Sequence, residues 1–159
     1  MQLAGRLEDR SSWITQGVCP IEKTMKIVGS RNAMLTMREA FYGTTRFDDF
    51  AAAVGMSDAT ASANLKQLVS AGLLEKRPYR QDGARTREEY VLTQAGEDLM
   101  PVVFGMFEWG MKHAANPPRL ALHHRGCAHD VVSAQVVCEC GAVLKSDDTE
   151  LRAVAGKRR

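Results

Sequence analysis

Residues 44–72, with the sequence TTRFDDFAAAVGMSDATASANLKQLVSAG, decide the fold of this chain. Apolar residues recur at helical spacing on both sides of the tripeptide Val54-Gly55-Met56: Phe47, Phe50, Ala51 and Val54 before it, and Ala61, Leu65, Leu68 and Val69 after it. Gly55 suits a helix end and Ser57 is a favoured residue for starting the next helix. This pattern predicts two helices joined by a tight turn, a helix-turn-helix.

The neighbouring sequence extends this unit on both sides. The predicted elements are two helices before it (20–29 and 30–43), two strands after it (Leu73–Tyr79 and Glu88–Thr93), and a long helix from Thr93 to about Ala115. The dipeptide Asp82-Gly83 between the strands is a hairpin-turn signal. A hairpin that follows a helix-turn-helix forms a wing. The expected fold class is therefore mainly α (α+β), a winged helix-turn-helix with a two-stranded wing and a long C-terminal helix.

The predicted shape suits duplex DNA, because one helix fits the major groove and a hairpin beside it can lie over the neighbouring backbone. With Ala61, Leu65 and Leu68 pointing inward, the outward arc of the second helix holds small and hydrogen-bonding side chains. The candidate DNA-binding residues are Thr45, Ser57, Thr60, Ser62, Lys66 and Gln67 on the helical part, and Arg80, Arg85 and Arg87 on the wing. The alternative is that these polar side chains only solvate an exposed helix.

Several short motifs follow one another along the chain: Cys19-Pro20, Arg38 to Gly43 (REAFYG), Arg46 to Phe50 (RFDDF), Leu65 to Val69 (LKQLV), Gly72 to Tyr79 (GLLEKRPY), Glu89 to Thr93 (EYVLT), Gly96 and Glu108 to Gly110 (EWG). In this order and spacing they resemble the HxlR-type winged helix-turn-helix transcriptional regulators of the MarR-like superfamily, over about residues 19–113. The resemblance implies a sequence-specific DNA-binding transcriptional regulator, expected to be a repressor. It also implies a homodimer, formed by helices near both ends of the domain, on a palindrome-like double-stranded operator.

The resemblance also organises the chain. We expect an N-terminal arm over residues 1–18, an HxlR-type DNA-binding and dimerisation domain over 19–115, and a Cys- and His-containing tail over 116–159. The sequence departs from the family at Asn32, where members commonly have Trp. It departs again at residues 80–88, a segment that is longer than usual and predicts a wing that either reaches further or is mobile.

Composition excludes several other classes of protein. The formal net charge is only +2, so DNA binding has to depend on where the basic residues lie. No apolar stretch approaches the roughly 18 residues of a membrane span, and the first residues lack the pattern of a secretory signal. We therefore expect a cytoplasmic protein without a membrane partner. No catalytic triad, phosphate-binding glycine loop or paired-carboxylate motif occurs, so we expect no enzyme.

Cys19 is the candidate redox sensor. It precedes Pro20 and is expected at the start of the first helix, where the partial positive charge of a helix N-terminus stabilises a thiolate. A thiol of this kind reacts with oxidants and electrophiles. In the HxlR-type family a cysteine at this position is the sensing thiol of several members, and the resemblance assigns that role to Cys19. The alternatives are a small buried residue under the dimer interface, and control by a small-molecule effector bound between protomers.

The tail contains a candidate site for structural zinc. The ligands would be Cys127, His129, Cys138 and Cys140, since zinc prefers thiolates and imidazoles in two groups. The C-x-C spacing of the second pair departs from the usual C-x-x-C. A reduced, metal-free tail and a tail with redox or disulfide chemistry therefore remain alternatives.

Two rival functions from other classes also remain open. The first is a winged-helix protein-interaction module that does not bind DNA. The second is a redox- or metal-responsive protein in which the winged helix is only a scaffold. DNA binding that weakens steeply with salt would separate the regulator from both, because phosphate contacts release counterions.

Overall fold

The structure is a computed structural model that describes residues 1–12, 19–80, 86–114, 117, 119–127, 129–131 and 133–153. Its helices and strands are, in chain order, β1 (Gln2–Ala4), α1 (Pro20–Val28), α2 (Arg31–Phe41), α3 (Phe47–Val54), α4 (Asp58–Ser70), β2 (Leu74–Tyr79), β3 (Arg87–Leu92), α5 (Gln94–Glu97), α6 (Met100–His113) and β4 (Glu150–Arg152). The predicted order of four helices, a hairpin and a C-terminal helical segment is confirmed.

The hydrophobic core lies where α2, α3 and α4 meet β2. Its largest fully buried side chains are Phe50, Met37, Leu65, Leu68 and Leu74. The ring of Tyr90 on β3 meets Phe50 edge-on, with 6.3 Å between the ring centroids. The wing therefore packs directly on the helix-turn-helix, and the position of one fixes the position of the other.

The hairpin is antiparallel. Its register runs from Leu74 opposite Leu92 to Tyr79 opposite Arg87, within one residue of the predicted strands at each end. The turn predicted at Asp82-Gly83 and the candidate DNA contact Arg85 lie outside the described residues. The predicted greater reach of the wing stays a prediction.

The single long helix predicted after Thr93 is divided into two. Thr93 caps α5, since its hydroxyl accepts a hydrogen bond of 3.1 Å from the Gly96 N–H. A Cβ atom at Gly96 would lie 2.2 Å from the carbonyl oxygen of Leu73, so this helix can approach the hairpin base only without a side chain there. Pro101 then stands in the first turn of α6, where its missing N–H leaves no hydrogen bond unmade.

The two ends of the chain meet, which the sequence did not predict. Strand β1 pairs in parallel with β4, with Gln2 opposite Glu150 and Ala4 opposite Arg152. The segment between α6 and β4 packs on α6, where a carboxylate oxygen of Glu108 accepts a hydrogen bond of 3.0 Å from the Ala134 N–H. The expected separation into arm and tail is thus bridged by a small sheet. Among the described residues, no helix combines the length and apolar character needed to cross a bilayer.

Candidate nucleic-acid interface

The turn between α3 and α4 has the geometry predicted from its sequence. Gly55 adopts a left-handed conformation with φ of 72° and donates its N–H to the last carbonyls of α3, a conformation that glycine adopts without steric cost. Ser57 then caps α4, since its hydroxyl accepts a hydrogen bond of 3.3 Å from the Thr60 N–H. Helix α3 itself begins at an N-cap Arg46, whose side chain makes no capping hydrogen bond.

Helix α4 has one buried face and one exposed face, as its periodicity predicts. Ala61, Leu65 and Leu68 are fully buried. The side chains predicted to point outward are all exposed in this chain: Ala59, Thr60, Ser62, Ala63, Lys66, Gln67 and Ser70. The predicted contacts Ser62 and Lys66 make no side-chain hydrogen bond or ion pair among the described residues, so their polar groups are available to a ligand.

Asn64 fixes the orientation of α4 and was missed by the sequence analysis. It is 7% exposed, and its side-chain amide donates to the hydroxyl oxygen of Thr36 on α2 at 2.6 Å. The same amide lies 3.4 Å from the backbone carbonyl oxygen of Asn32. The exposed face of α4 is therefore held at a fixed rotation by a buried polar contact, and Asn32 stands beside that contact.

Several predicted DNA contacts, among them Gln67, Thr60 and Ser57, have hydrogen-bond partners inside the molecule. The Gln67 amide donates to the carbonyl oxygen of Ile27 at 2.9 Å, at the C-terminal end of α1. The hydroxyl of Thr60 lies 2.9 Å from that of Ser57. Both side chains lie on the exposed face of α4. The hydrogen bond to Ile27 holds the Gln67 side chain against α1, so this side chain joins the two helices.

An aromatic contact holds the outer end of β2 against the start of α3. The guanidinium of Arg46 lies 3.5 Å from the centroid of the Tyr79 ring, which is close enough for a cation–π interaction. The backbone carbonyl of Thr45 accepts a hydrogen bond of 2.8 Å from the Tyr90 N–H. Thr45 is therefore half-buried beside β3, and its backbone has a structural role there.

The wing carries both signs of charge. Arg80 and Arg87, both predicted to contact DNA, are exposed at its outer end. Nearer the domain, Lys76 forms an ion pair with Glu88 and Arg77 with Glu75. The hydrogen bond that Lys76 donates to the Glu88 carboxylate raises the pKa of Lys76 above its ordinary value. These ion pairs neutralise part of the basic charge in the inner part of the wing.

Cys19 occupies the N-cap position of α1, at the start of that helix as expected. It is half-buried, its side chain makes no capping hydrogen bond, and its carbonyl accepts the N–H of Lys23 at 3.1 Å. Its role as a sensor remains a prediction.

The predicted zinc ligands do not converge among the described residues, where no three His, Cys, Asp or Glu side chains are grouped to hold a metal. Cys127 lies instead beside His124, with 3.1 Å between Sγ and Nδ1. Cys138 and Cys140 lie together on an exposed hairpin. Hydrogen bonds from the backbone N–H and the thiol of Cys140 lower the pKa of the Cys138 thiol.

A capped helix with an exposed small polar face, next to a hairpin with outer arginines, defines the class of winged helix-turn-helix transcriptional regulators. The HxlR-like helix-turn-helix family matches residues 27–117, more than half of the chain. The chain belongs to this family.

Similar proteins agree with this assignment. The chain is 33% identical over 123 residues to an uncharacterized HTH-type transcriptional regulator of Mycobacterium tuberculosis, covering 76% of this chain and 77% of that protein. The crystal structure of PA1607, described as a transcription factor, superposes with a TM-score of 0.77 at 29% identity and covers 86% of this chain and 95% of its own. The redox regulator HypR in its reduced form gives a TM-score of 0.54 at 26% identity, covering 59% of this chain and 92% of its own.

Proposed function

We propose that this regulator is a homodimeric repressor that binds a palindrome-like operator through the exposed face of α4. The observation that carries the proposal is that α4 presents only small or hydrogen-bonding side chains to solvent, while Asn64 and the buried leucines fix its rotation. Small side chains allow a helix to approach base edges closely in the major groove. Ser57, Thr60 and Ser62 lie at its N-terminal end, the end that reaches base edges in helix-turn-helix proteins.

The phosphate contacts would come from three places around that helix. Lys66 lies one turn beyond Ser62 on the same exposed face, and Arg80 and Arg87 extend from the ends of the two wing strands. Contacts to phosphates position a protein on the duplex, whereas contacts to base edges specify sequence. We therefore assign orientation to the basic residues and specificity to the N-terminal turns of α4.

The dimer would form through α1 and α6. Ile21 and Met25 are 74% and 57% exposed and are one turn apart on α1. Val102, Met106 and Trp109 are 46%, 55% and 63% exposed and form a stripe along α6. Contiguous apolar surface of this kind marks a protein interface. A second copy of the chain would cover both helices and would set the spacing of the two α4 helices.

We assign the switching of this dimer to Cys19. It starts α1, whose exposed residues belong to the proposed interface and whose last carbonyls are bonded by Gln67 of α4. A covalent change at Cys19 can therefore alter the position of α4, the proposed DNA-contacting helix, because α1 connects the two. HypR, a structural neighbour, is a redox regulator, which supports an oxidant as the effector.

The variant Ser62→Glu tests whether the exposed face of α4 contacts DNA. The probe is the DNA upstream of the protein's own gene, followed by fluorescence anisotropy as the salt concentration is varied. We expect Ser62→Glu to abolish specific binding, because a carboxylate would face bases and phosphates, while helical content and dimer mass stay unchanged. Ser70→Glu, at the opposite end of the same helix, is the matched control and should retain specific binding. Retention of binding by Ser62→Glu, or binding that is independent of salt, would refute the proposal.

A further inference from the structure

Arg46 stands where a helix usually begins with a small polar residue. It is the N-cap of α3, and its side chain makes no capping hydrogen bond. In contrast, Ser30, Ser57 and Thr93 cap α2, α4 and α5 through their hydroxyl groups. The N-terminal end of a helix carries a partial positive charge, which does not favour a cation there. Helix capping therefore does not explain the arginine at position 46.

The Arg46 side chain is directed at the outer end of the wing. Its guanidinium carbon lies 3.5 Å from the centroid of the Tyr79 ring, within the range of a cation–π interaction. Both residues are half-buried. Arg46 makes no ion pair and no side-chain hydrogen bond among the described residues, so the Tyr79 ring is the contact that the structure shows for its charged group.

The position of Tyr79 in the hairpin makes this contact relevant to DNA binding. Tyr79 is the last residue of β2 and pairs with Arg87, the first residue of β3. Arg80 follows Tyr79 directly in the chain. The side chain of Arg46 therefore holds the two strand ends from which both proposed phosphate-binding arginines extend.

The wing is thus attached to the helical part at two levels. At the inner level the Tyr90 N–H donates to the Thr45 carbonyl oxygen, and the Tyr90 ring meets Phe50 edge-on. The Arg46–Tyr79 contact lies three residue pairs further out along the hairpin. Without it, the outer part of the wing would be held by the inner attachment alone.

We propose that Arg46 is a positioning residue for DNA binding, which holds the outer end of the wing at a fixed place relative to α4. This inference rests on the proposed function. An ordered wing presents Arg80 and Arg87 to the phosphates while α4 lies in the major groove. A wing that has to become ordered on binding loses conformational freedom at that moment, and the loss weakens the complex.

The competing role for Arg46 is a direct contact with a phosphate, and salt dependence separates the two. Operator binding is measured on the DNA upstream of the protein's own gene by fluorescence anisotropy at several salt concentrations. We expect Arg46→Ala to weaken binding about two- to fivefold, the equivalent of one cation–π contact. The slope against salt should stay unchanged, because no phosphate contact is removed.

Variants of Tyr79 test whether the effect passes through the ring. Tyr79→Leu should weaken binding as much as Arg46→Ala does, and the two changes together should weaken it no further, since both remove the same contact. Tyr79→Phe keeps the ring and is the matched control, which should bind as the unsubstituted protein does. A salt slope lowered by about one counterion in Arg46→Ala, with no effect of Tyr79→Leu, would make Arg46 a phosphate contact and overturn the proposal.

A second comparison removes the residues that Arg46 is proposed to position. In a chain with Arg80→Ala, Arg85→Ala and Arg87→Ala, which lacks the wing arginines predicted to contact DNA, Arg46→Ala should have no further effect on affinity. An undiminished loss of affinity in this chain would mean that Arg46 acts independently of the wing.

Hydrogen–deuterium exchange without DNA separates a failure of this inference from a failure of the proposed function. Arg46→Ala and Tyr79→Leu should each speed amide exchange at the outer ends of β2 and β3 and leave exchange in α4 unchanged. Unchanged exchange of the wing in both variants would refute the positioning role. If the unsubstituted protein shows no salt-dependent DNA binding, the proposed function fails, and the exchange result still decides whether Arg46 fixes the wing.

Discussion

The side-chain amide of Gln67 donates a hydrogen bond of 2.9 Å to the backbone carbonyl oxygen of Ile27. A second carbonyl oxygen at the end of α1, that of Lys26, lies 3.4 Å from the same nitrogen. The last carbonyls of a helix have no partners within the helix, so a residue of α4 satisfies the C-terminal end of α1. Helix α4 and helix α1, whose N-cap is Cys19, are thereby joined through the Gln67 side chain.

The first prediction concerns Gln67. Gln67→Ala should lower the free energy of unfolding by about 0.5–1.5 kcal/mol, the usual net value of one hydrogen bond, as measured by urea denaturation. Its effect on DNA affinity should follow from the loosened helix pair and should be similar for all operator sequences. If stability is unchanged while preference at one base pair is lost, Gln67 reads a base and its contact with Ile27 has no energetic role.

Lys66 gives the contrasting prediction. Lys66→Ala should leave the unfolding free energy unchanged, because the side chain is exposed and makes no ion pair among the described residues. DNA affinity should fall evenly across sequences, and the salt dependence of binding should weaken by about one counterion per contact removed. Lys66→Arg is the control and should keep the salt dependence. A changed sequence preference in Lys66→Ala would contradict the assignment of Lys66 to a phosphate.

The buried pair of Asn64 and Thr36 gives a third prediction. Asn64→Ala should cost about 1–3 kcal/mol, because it leaves the Thr36 hydroxyl buried without its partner. The loss should appear in thermal or urea unfolding and should accompany weaker DNA binding. The double variant Asn64→Leu with Thr36→Val removes both polar groups and should recover part of the stability, as a double-mutant cycle would show. Strictly additive costs would mean that the two side chains are not coupled.

A fourth prediction addresses the exposed stripe of α6. Trp109 is 63% exposed, and Trp109→Glu should convert the dimer to a single chain in light scattering, because it places a charge in an apolar interface. Val143→Glu, at an exposed position in the tail, is the matched control and should remain dimeric. A Trp109→Glu protein of unchanged mass would exclude this stripe from the interface.

The sequence predicted the helix-turn-helix well, because its signals are local. The spacing of Ala61, Leu65 and Leu68, the cap at Ser57 and the glycine at position 55 each act within one or two turns of helix. Periodicity treats polar residues as exposed, which is why Asn64 was overlooked. Its partner Thr36 lies 28 positions away, and only tertiary packing brings the two together.

The contrast between local sequence signals and tertiary packing also explains the other differences between the predicted and the observed structure. A helix does start at Thr93 as predicted, but it is short, because Gly96 has to approach the carbonyl of Leu73 and Pro101 lies in the first turn of a new helix. The pairing of β1 with β4 joins short strands that are far apart in sequence, and neither strand has a strong alternating pattern. The four predicted zinc ligands were grouped by their spacing alone, whereas the structure separates Cys127 from the Cys138–Cys140 pair.

The small sheet that β1 and β4 form has a practical consequence for handling the protein. Deleting residues 1–4 would expose the backbone hydrogen-bonding groups of β4, and an unpaired strand edge invites association with other chains. A purification tag fused to the N-terminus would emerge beside β4. Samples intended for crystallisation or for measuring oligomeric state are therefore best prepared with residues 1–4 present, since a version without them can self-associate through the strand edge that β1 covers.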